Sequence, residues 1–184
     1  MIDYSYAETG NIPNKLICFL PINHRLVTIM ITKPDTRGVY SLLIEITRGT
    51  RIQVGGLGII KLPAGYYVYT GSAMGKGSSS LEGRIKRHLS DKKNNFWHID
   101  YLLADSNSKI IGVIFAETLK NREHDVVREL KNQGEVICKK FGASDCKRDC
   151  VSHLLYVRQS LSEILDIIRE TYKKLNLEPI TIIF

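Results

Sequence analysis

A chain of 184 residues, 43% hydrophobic and 24% charged, can bury one good core and is short for two ordinary domains. Lys and Arg outnumber Asp and Glu by 26 to 19, and the resulting formal charge of +7 favours a polyanionic partner without requiring one. The start, Met1-Ile-Asp-Tyr-Ser-Tyr-Ala-Glu8, has no basic segment leading into an apolar run, and no stretch reaches the roughly 18 apolar residues of a membrane helix, so a soluble, cytoplasmic protein is expected.

Four cysteines, Cys18, Cys138, Cys146 and Cys150, are too few and too unevenly spread for a disulfide scaffold. Reduced thiols or metal ligands are the expectation.

Residues 16–20 and 26–31 read as two apolar strands around Pro21-Ile-Asn-His24, an N-terminal β extension over 1–36. Pro34-Asp-Thr-Arg-Gly38 then breaks the chain, and the aromatic and β-branched content of 39–46 predicts a central strand. A hairpin over 52–62 ends at Pro63-Ala-Gly65, after which Tyr66-Tyr-Val-Tyr-Thr70 is another strand. Residues 71–80, rich in Gly and Ser, read as a flexible loop leading into a helix N-cap; they do not form a Walker pattern.

Leu81, Ile85 and Leu89 recur every four residues, so 81–90 is expected to be an amphipathic helix with a basic opposite face. Residues 97–103 follow as a second helix, 110–116 as a buried strand and 123–130 as a third helix with Val126, Val127 and Leu130 inward. Residues 141–145 read as a loop and 153–157 as a late strand. Ser160-Leu-Ser-Glu163 is a capping box for a helix to about residue 175, and residues 180–184 supply a possible last strand. The predicted class is α/β (α+β), a mainly antiparallel sheet flanked by helices, with a main domain over 37–158 and a C-terminal helix and tail over 159–184 packed on it.

Arg84 and His88 are four residues apart on one helical face, with Arg87 beside them. A guanidinium offers a donor fork that matches phosphate oxygens, and an imidazole can donate, accept or relay a proton near neutral pH. Alone, such a helix is as well explained by a solvated basic face. Lys86, Arg87, Lys92 and Lys93 form a basic run that reads either as solubility or as phosphate contact.

The order Gly38-Val-Tyr40, then Tyr69-Thr-Gly71, then Arg84-Ile-Lys-Arg-His88 resembles the signature of the GIY-YIG nuclease superfamily. Pro63-Ala-Gly-Tyr-Tyr-Val-Tyr-Thr-Gly-Ser-Ala73, Trp97-His-Ile-Asp-Tyr-Leu-Leu103, Phe141-Gly-Ala-Ser-Asp-Cys146 and Ser152-His-Leu154 are similar to a GIY-YIG-related family of short proteins, notably archaeal, also found fused to endonuclease III-type DNA glycosylases. The similarity runs from about Gly38 to Tyr156.

The resemblance implies that Tyr40 and Tyr69 face a scissile phosphate, that Arg84 contacts it with His88 nearby, and that a glutamate on a later helix holds one Mg²⁺ or Mn²⁺. Glu123, opening Glu-x-x-Val-Val, is the expected carboxylate, with Glu117 and Asp125 as competitors. Tyr69 or Tyr40 would then activate water, directly or through a relay. A phenol is a poor base at its ordinary pKa of about 10, so Arg84 and the metal must favour its ionised form or His88 must share the proton.

Three departures stand out, one being that Arg84 lies farther beyond Tyr69 than is usual for such nucleases, across the Gly/Ser-rich segment. Residues 41–68 separate the half-motifs, an insertion long enough for a hairpin that could rim or obstruct the binding face, and Ser72 follows Gly71 where many such nucleases carry lysine, a role Lys76 could take.

Cys146, Cys150 and His153, with Asp145 and Cys138 nearby, suggest a second metal site for zinc or iron, although C-x3-C-x2-H matches no standard finger. His98 and Asp100 diverge on their helix, leaving His98 with Tyr101 to face the Arg84 helix and nucleic acid, while Trp97 reads as a core anchor. The leading expectation is a metal-dependent DNA endonuclease, structure-specific and tied to repair proteins, with RNA as the other polymer. A nucleic-acid-binding module with a degenerate site and a Cys/His metal protein are the alternatives.

Overall fold

The computed structural model describes residues 35–90, 95–144, 146, 148 and 150–184, together with the backbone of two N-terminal strands. Those strands, β1 (Leu16–Ile22) and β2 (Arg25–Ile31), pair antiparallel as the apolar runs predict. The expected basic residues Lys92 and Lys93, and Asp145, lie outside the described residues.

The main sheet has five antiparallel strands: β3 (Gly38–Ile46) at its centre, β6 (Gly65–Ala73) and β7 (Ser108–Glu117) on either side, β8 (Leu154–Val157) beyond β6 and β9 (Ile180–Ile183) beyond β7. β4 (Thr50–Val54) and β5 (Gly58–Leu62) form a separate hairpin inserted between β3 and β6, so these two still pair directly along their length. The predicted α+β class is the one observed, and the C-terminal tail supplies an edge strand of the same sheet.

Strand alternation sorts the core into two layers. Tyr40, Leu42, Ile44, Tyr67, Tyr69 and Phe115 point to one face, where α1 (Leu81–Leu89), α2 (His98–Leu103) and the β4–β5 hairpin cover them. Val39, Leu43, Val68 and Ile114 point to the other, under α3 (Glu123–Leu130) and α4 (Leu161–Lys174). Nearly every residue of β3 is buried, as a central strand covered on both sides requires. A small polar group crosses this interior: the Ser41 hydroxyl lies 3.1 Å from that of Thr70 and 3.0 Å from that of Tyr172, giving each buried hydroxyl a partner.

The segment read as a flexible Gly/Ser loop is different in detail. β6 continues through Gly71 to Ala73 because β3 supplies pairing partners, Tyr40 for Gly71 and Gly38 for Ala73. A 3₁₀ turn at Gly77–Ser79 leads to Ser80, whose hydroxyl accepts from the Gly83 amide at 3.1 Å and caps α1. The capping box at Ser160 and Glu163 forms as predicted, starting α4.

Candidate active site and metal cluster

Tyr40 sits opposite Gly71, and Tyr69 lies two residues back on the same strand, so the two tyrosines are diagonal neighbours on one face. The absence of a side chain at Gly71 makes this possible: a Cβ there would stand 2.5 Å from the Tyr40 hydroxyl. Gly38 is similarly constrained, since a Cβ would meet the Ala116 carbonyl oxygen at 2.3 Å and the Leu81 side chain at 2.5 Å. Both signature glycines are thus sites of close approach.

His88, buried at the end of α1, turns its Nε2 to the Tyr40 hydroxyl at 2.8 Å. Its ring also meets Tyr69 edge-on at 6.4 Å between centroids. Burial drives the ionisation of both phenols well above the ordinary value, with Arg84 opposing it only in part. Of the two routes open to the phenol proton, Arg84 by itself does not favour ionisation, while the Tyr40–His88 contact provides for sharing the proton.

Arg84 lies over Trp97, its guanidinium carbon 4.1 Å from the ring centroid, and its Nε is buried with no hydrogen-bond partner among the described residues. The rest of the expected basic face is divided among internal partners. Arg87 also stacks on Trp97, at 3.8 Å, and donates to the buried carboxylate of Asp100 at 2.6 Å, while Lys86 pairs with Glu82. Asp100 accepts as well from the backbone amides of Phe96 and Trp97, fixing the start of α2. Arg87 thus ties α1 to α2.

Glu123 opens α3, where the helix dipole favours a carboxylate. Its Oε2 accepts from the Ser72 hydroxyl at 2.6 Å and its Oε1 lies 2.7 Å from His153 Nδ1. Burial alone would raise this carboxyl, but the His153 contact and the Ser72 hydrogen bond bring it below the ordinary value. Of the competitors, Glu117 is exposed at the end of β7 and Asp125 pairs with Arg122 at 3.2 Å.

Tyr40, Tyr69, Arg84, His88 and Glu123 line one cleft of about 470 Å³, joined by Ser72, Trp97, Asn121 and Arg148. No residue of the β4–β5 hairpin lines it, so the insertion does not obstruct the cleft. Lys76 is exposed and does not line the cleft. His98 Nδ1 accepts from the Gly142 amide at 3.0 Å, and its ring packs on Phe141. Tyr101 turns instead toward Gly55 in the inserted hairpin.

Beside Glu123, His124, Cys146, Cys150 and His153 bring their ligand atoms within 4.8 Å of one another, a cluster that could hold a metal ion, and His124, Cys146 and His153 themselves line the cleft. Cys138 is not among them, and His124 is a member that the Cys/His spacing did not reveal.

These observations define a protein with a five-stranded antiparallel sheet, a polar cleft built from β3, β6, α1 and α3, and a Cys/His cluster on the cleft wall. The chain belongs to the family described as Domain of unknown function DUF123, whose model matches residues 39–177 and so extends through α4, beyond the reach of the sequence blocks. No curated protein and no solved structure matches the chain. Among the described residues, no helix is long and apolar enough to cross a membrane.

Proposed function

We propose that this protein is a metal-dependent endonuclease of the GIY-YIG superfamily that hydrolyses phosphodiester bonds in DNA, acting on particular structures in repair. The observation that carries this reading is the convergence of Tyr40, Tyr69, Arg84, His88 and Glu123, from four separate elements, on one cleft. Arg84 lines the cleft and makes no ion pair among the described residues, which suits a phosphate oxygen, and the net positive charge suits a polyanion.

The high phenol pKa values favour a relay over a tyrosinate base. As water attacks phosphorus, its proton passes to the Tyr40 oxygen while the Tyr40 proton passes to His88 Nε2, so no free phenolate forms. Arg84 balances the charge that builds on the phosphate oxygens. Glu123 fits a hard divalent cation: it is a single carboxylate held in its ionised form at the cleft wall, the arrangement by which Mg²⁺ or Mn²⁺ is bound with several waters. Bound there, such an ion supplies charge to stabilise the departing oxygen.

The test is cleavage of nicked, flapped and abasic duplexes with Mg²⁺ or Mn²⁺, beside Tyr40→Phe, Tyr69→Phe, Arg84→Ala and Glu123→Ala. Wild-type cutting lost in the variants supports the reading. Salt-sensitive DNA binding with no cutting of any substrate replaces it with a binding module.

A further inference from the structure

We propose that His124, Cys146, Cys150 and His153 bind one zinc ion in a closed, structural site, and that Glu123 orients one of its ligands. His124 Nδ1 lies 3.1 Å from Cys150 Sγ and 3.5 Å from Cys146 Sγ, and the four ligand atoms lie within 4.8 Å of one another. Ligands at about 2.0–2.3 Å from a tetrahedral zinc stand roughly 3.3–3.8 Å apart, so shifts of about an ångström or less would close the site.

His153 supplies an independent indication. It is 3% exposed, and its Nε2 is buried with no hydrogen-bond partner among the described residues. Its Nδ1 also lacks a partner with hydrogen-bond geometry but lies 2.7 Å from Glu123 Oε1, and since a carboxylate can only accept, a small turn of the ring would let Nδ1–H donate to it and leave the lone pair on Nε2. In that tautomer Nε2 can ligate, and a carboxylate behind a ligating imidazole is the usual support of such a site. Two thiols and two imidazoles select zinc over Mg²⁺ or Ca²⁺. Four protein ligands leave no open position, which makes the site structural.

Its location gives the ion a task. His124 comes from α3, His153 precedes β8, and the cysteines lie on the segment that follows Phe141 and Gly142. Gly142 packs against Tyr69, and the His153 carbonyl accepts from the Thr70 amide at 3.0 Å. Zinc would therefore pin this segment against the cleft, with Glu123 lining the cleft while backing His153, and the next residue, His124, binding the ion.

The experiment is elemental analysis of the full chain purified under reducing conditions, with loading by Co²⁺ as a second readout. About one zinc per chain, and a tetrahedral cobalt spectrum with sulfur-to-metal charge transfer, are expected. Cys146→Ser, Cys150→Ser and His124→Ala should lose both, and Cys138→Ser should keep both. Glu123→Gln should still bind zinc at saturation but with about 10–100-fold lower affinity. A folded wild type that holds no zinc and gives no cobalt spectrum overturns the proposal, as does stoichiometric iron or equal loss in Cys138→Ser. Zinc is measured without nucleic acid, so a zinc-loaded protein that cuts nothing would remove the nuclease reading alone.

Discussion

The Tyr40 hydroxyl lies 2.8 Å from His88 Nε2, joining the central strand to the end of α1 inside the cleft. The contact serves both packing and proton transfer, and the two can be separated. Tyr40→Phe keeps the ring and removes the hydroxyl, leaving a buried imidazole nitrogen without its partner; a loss of about 1–3 kcal/mol is expected from urea unfolding. If the pair is the relay, single-turnover cleavage should fall about 10²–10⁴-fold in Tyr40→Phe and in His88→Ala. A variant that folds and cuts at the wild-type rate rules the relay out.

Gly71→Ala probes the same place from the neighbouring strand. The added methyl would stand 2.5 Å from the Tyr40 hydroxyl and 2.6 Å from its ring carbon, so the ring or the strand must move. Overpacking of this kind costs about 1–3 kcal/mol, and displacing Tyr40 should break its contact with His88. The expected result is a lower unfolding midpoint together with lost cleavage. An unchanged midpoint would show that Tyr40 is not held against Gly71.

The central strands and α1 were legible because their signals are local: alternating apolar residues, a four-residue seam, and Ser80 at the cap. Gly71–Ala73 have the composition of a loop yet are strand, because composition cannot report that β3 offers pairing partners. Arg84 and His88 were correctly placed on one face, but spacing does not say that this face turns inward onto the tyrosines, nor that Asp100 claims Arg87. His124 was invisible as a ligand because it stands 22 residues before Cys146; only the packing of α3 brings the two together. Glu123 is marked in the sequence only by resemblance; in the folded chain burial raises its carboxyl, and His153 and Ser72 bring it below the ordinary value through contacts that the sequence does not display.

The buried phenols predict the alkaline limit of stability. Burial raises Tyr40, Tyr69 and Tyr172 well above their ordinary value of 10.0. The stabilising contribution is therefore complete below about pH 10, where both states are protonated. Above it the unfolded chain ionises first, and stability falls by up to about 1.4 kcal/mol per pH unit for each such group. Ultraviolet titration should show these tyrosines ionising together with the loss of near-ultraviolet circular dichroism. Free titration of all nine tyrosines near pH 10 in a still-folded protein would contradict their burial.

Arg84 and Arg87 stack on the same tryptophan yet should fail differently when replaced. Arg87→Ala leaves the Asp100 carboxylate, 3% exposed, without its cation, although two backbone amides still donate to it. The half-exposed guanidinium and the remaining donors limit the cost to about 1–3 kcal/mol of stability. Arg84 makes no ion pair among the described residues, and its buried Nε lacks an acceptor, so Arg84→Ala should change stability little and cleavage greatly. Arg84→Lys should not restore cleavage, because an ammonium cannot reproduce the planar stack or the donor fork. Urea midpoints and cleavage rates of the three variants, measured in one buffer, check this division; a stability loss in Arg84→Ala equal to that in Arg87→Ala would make Arg84 a packing residue.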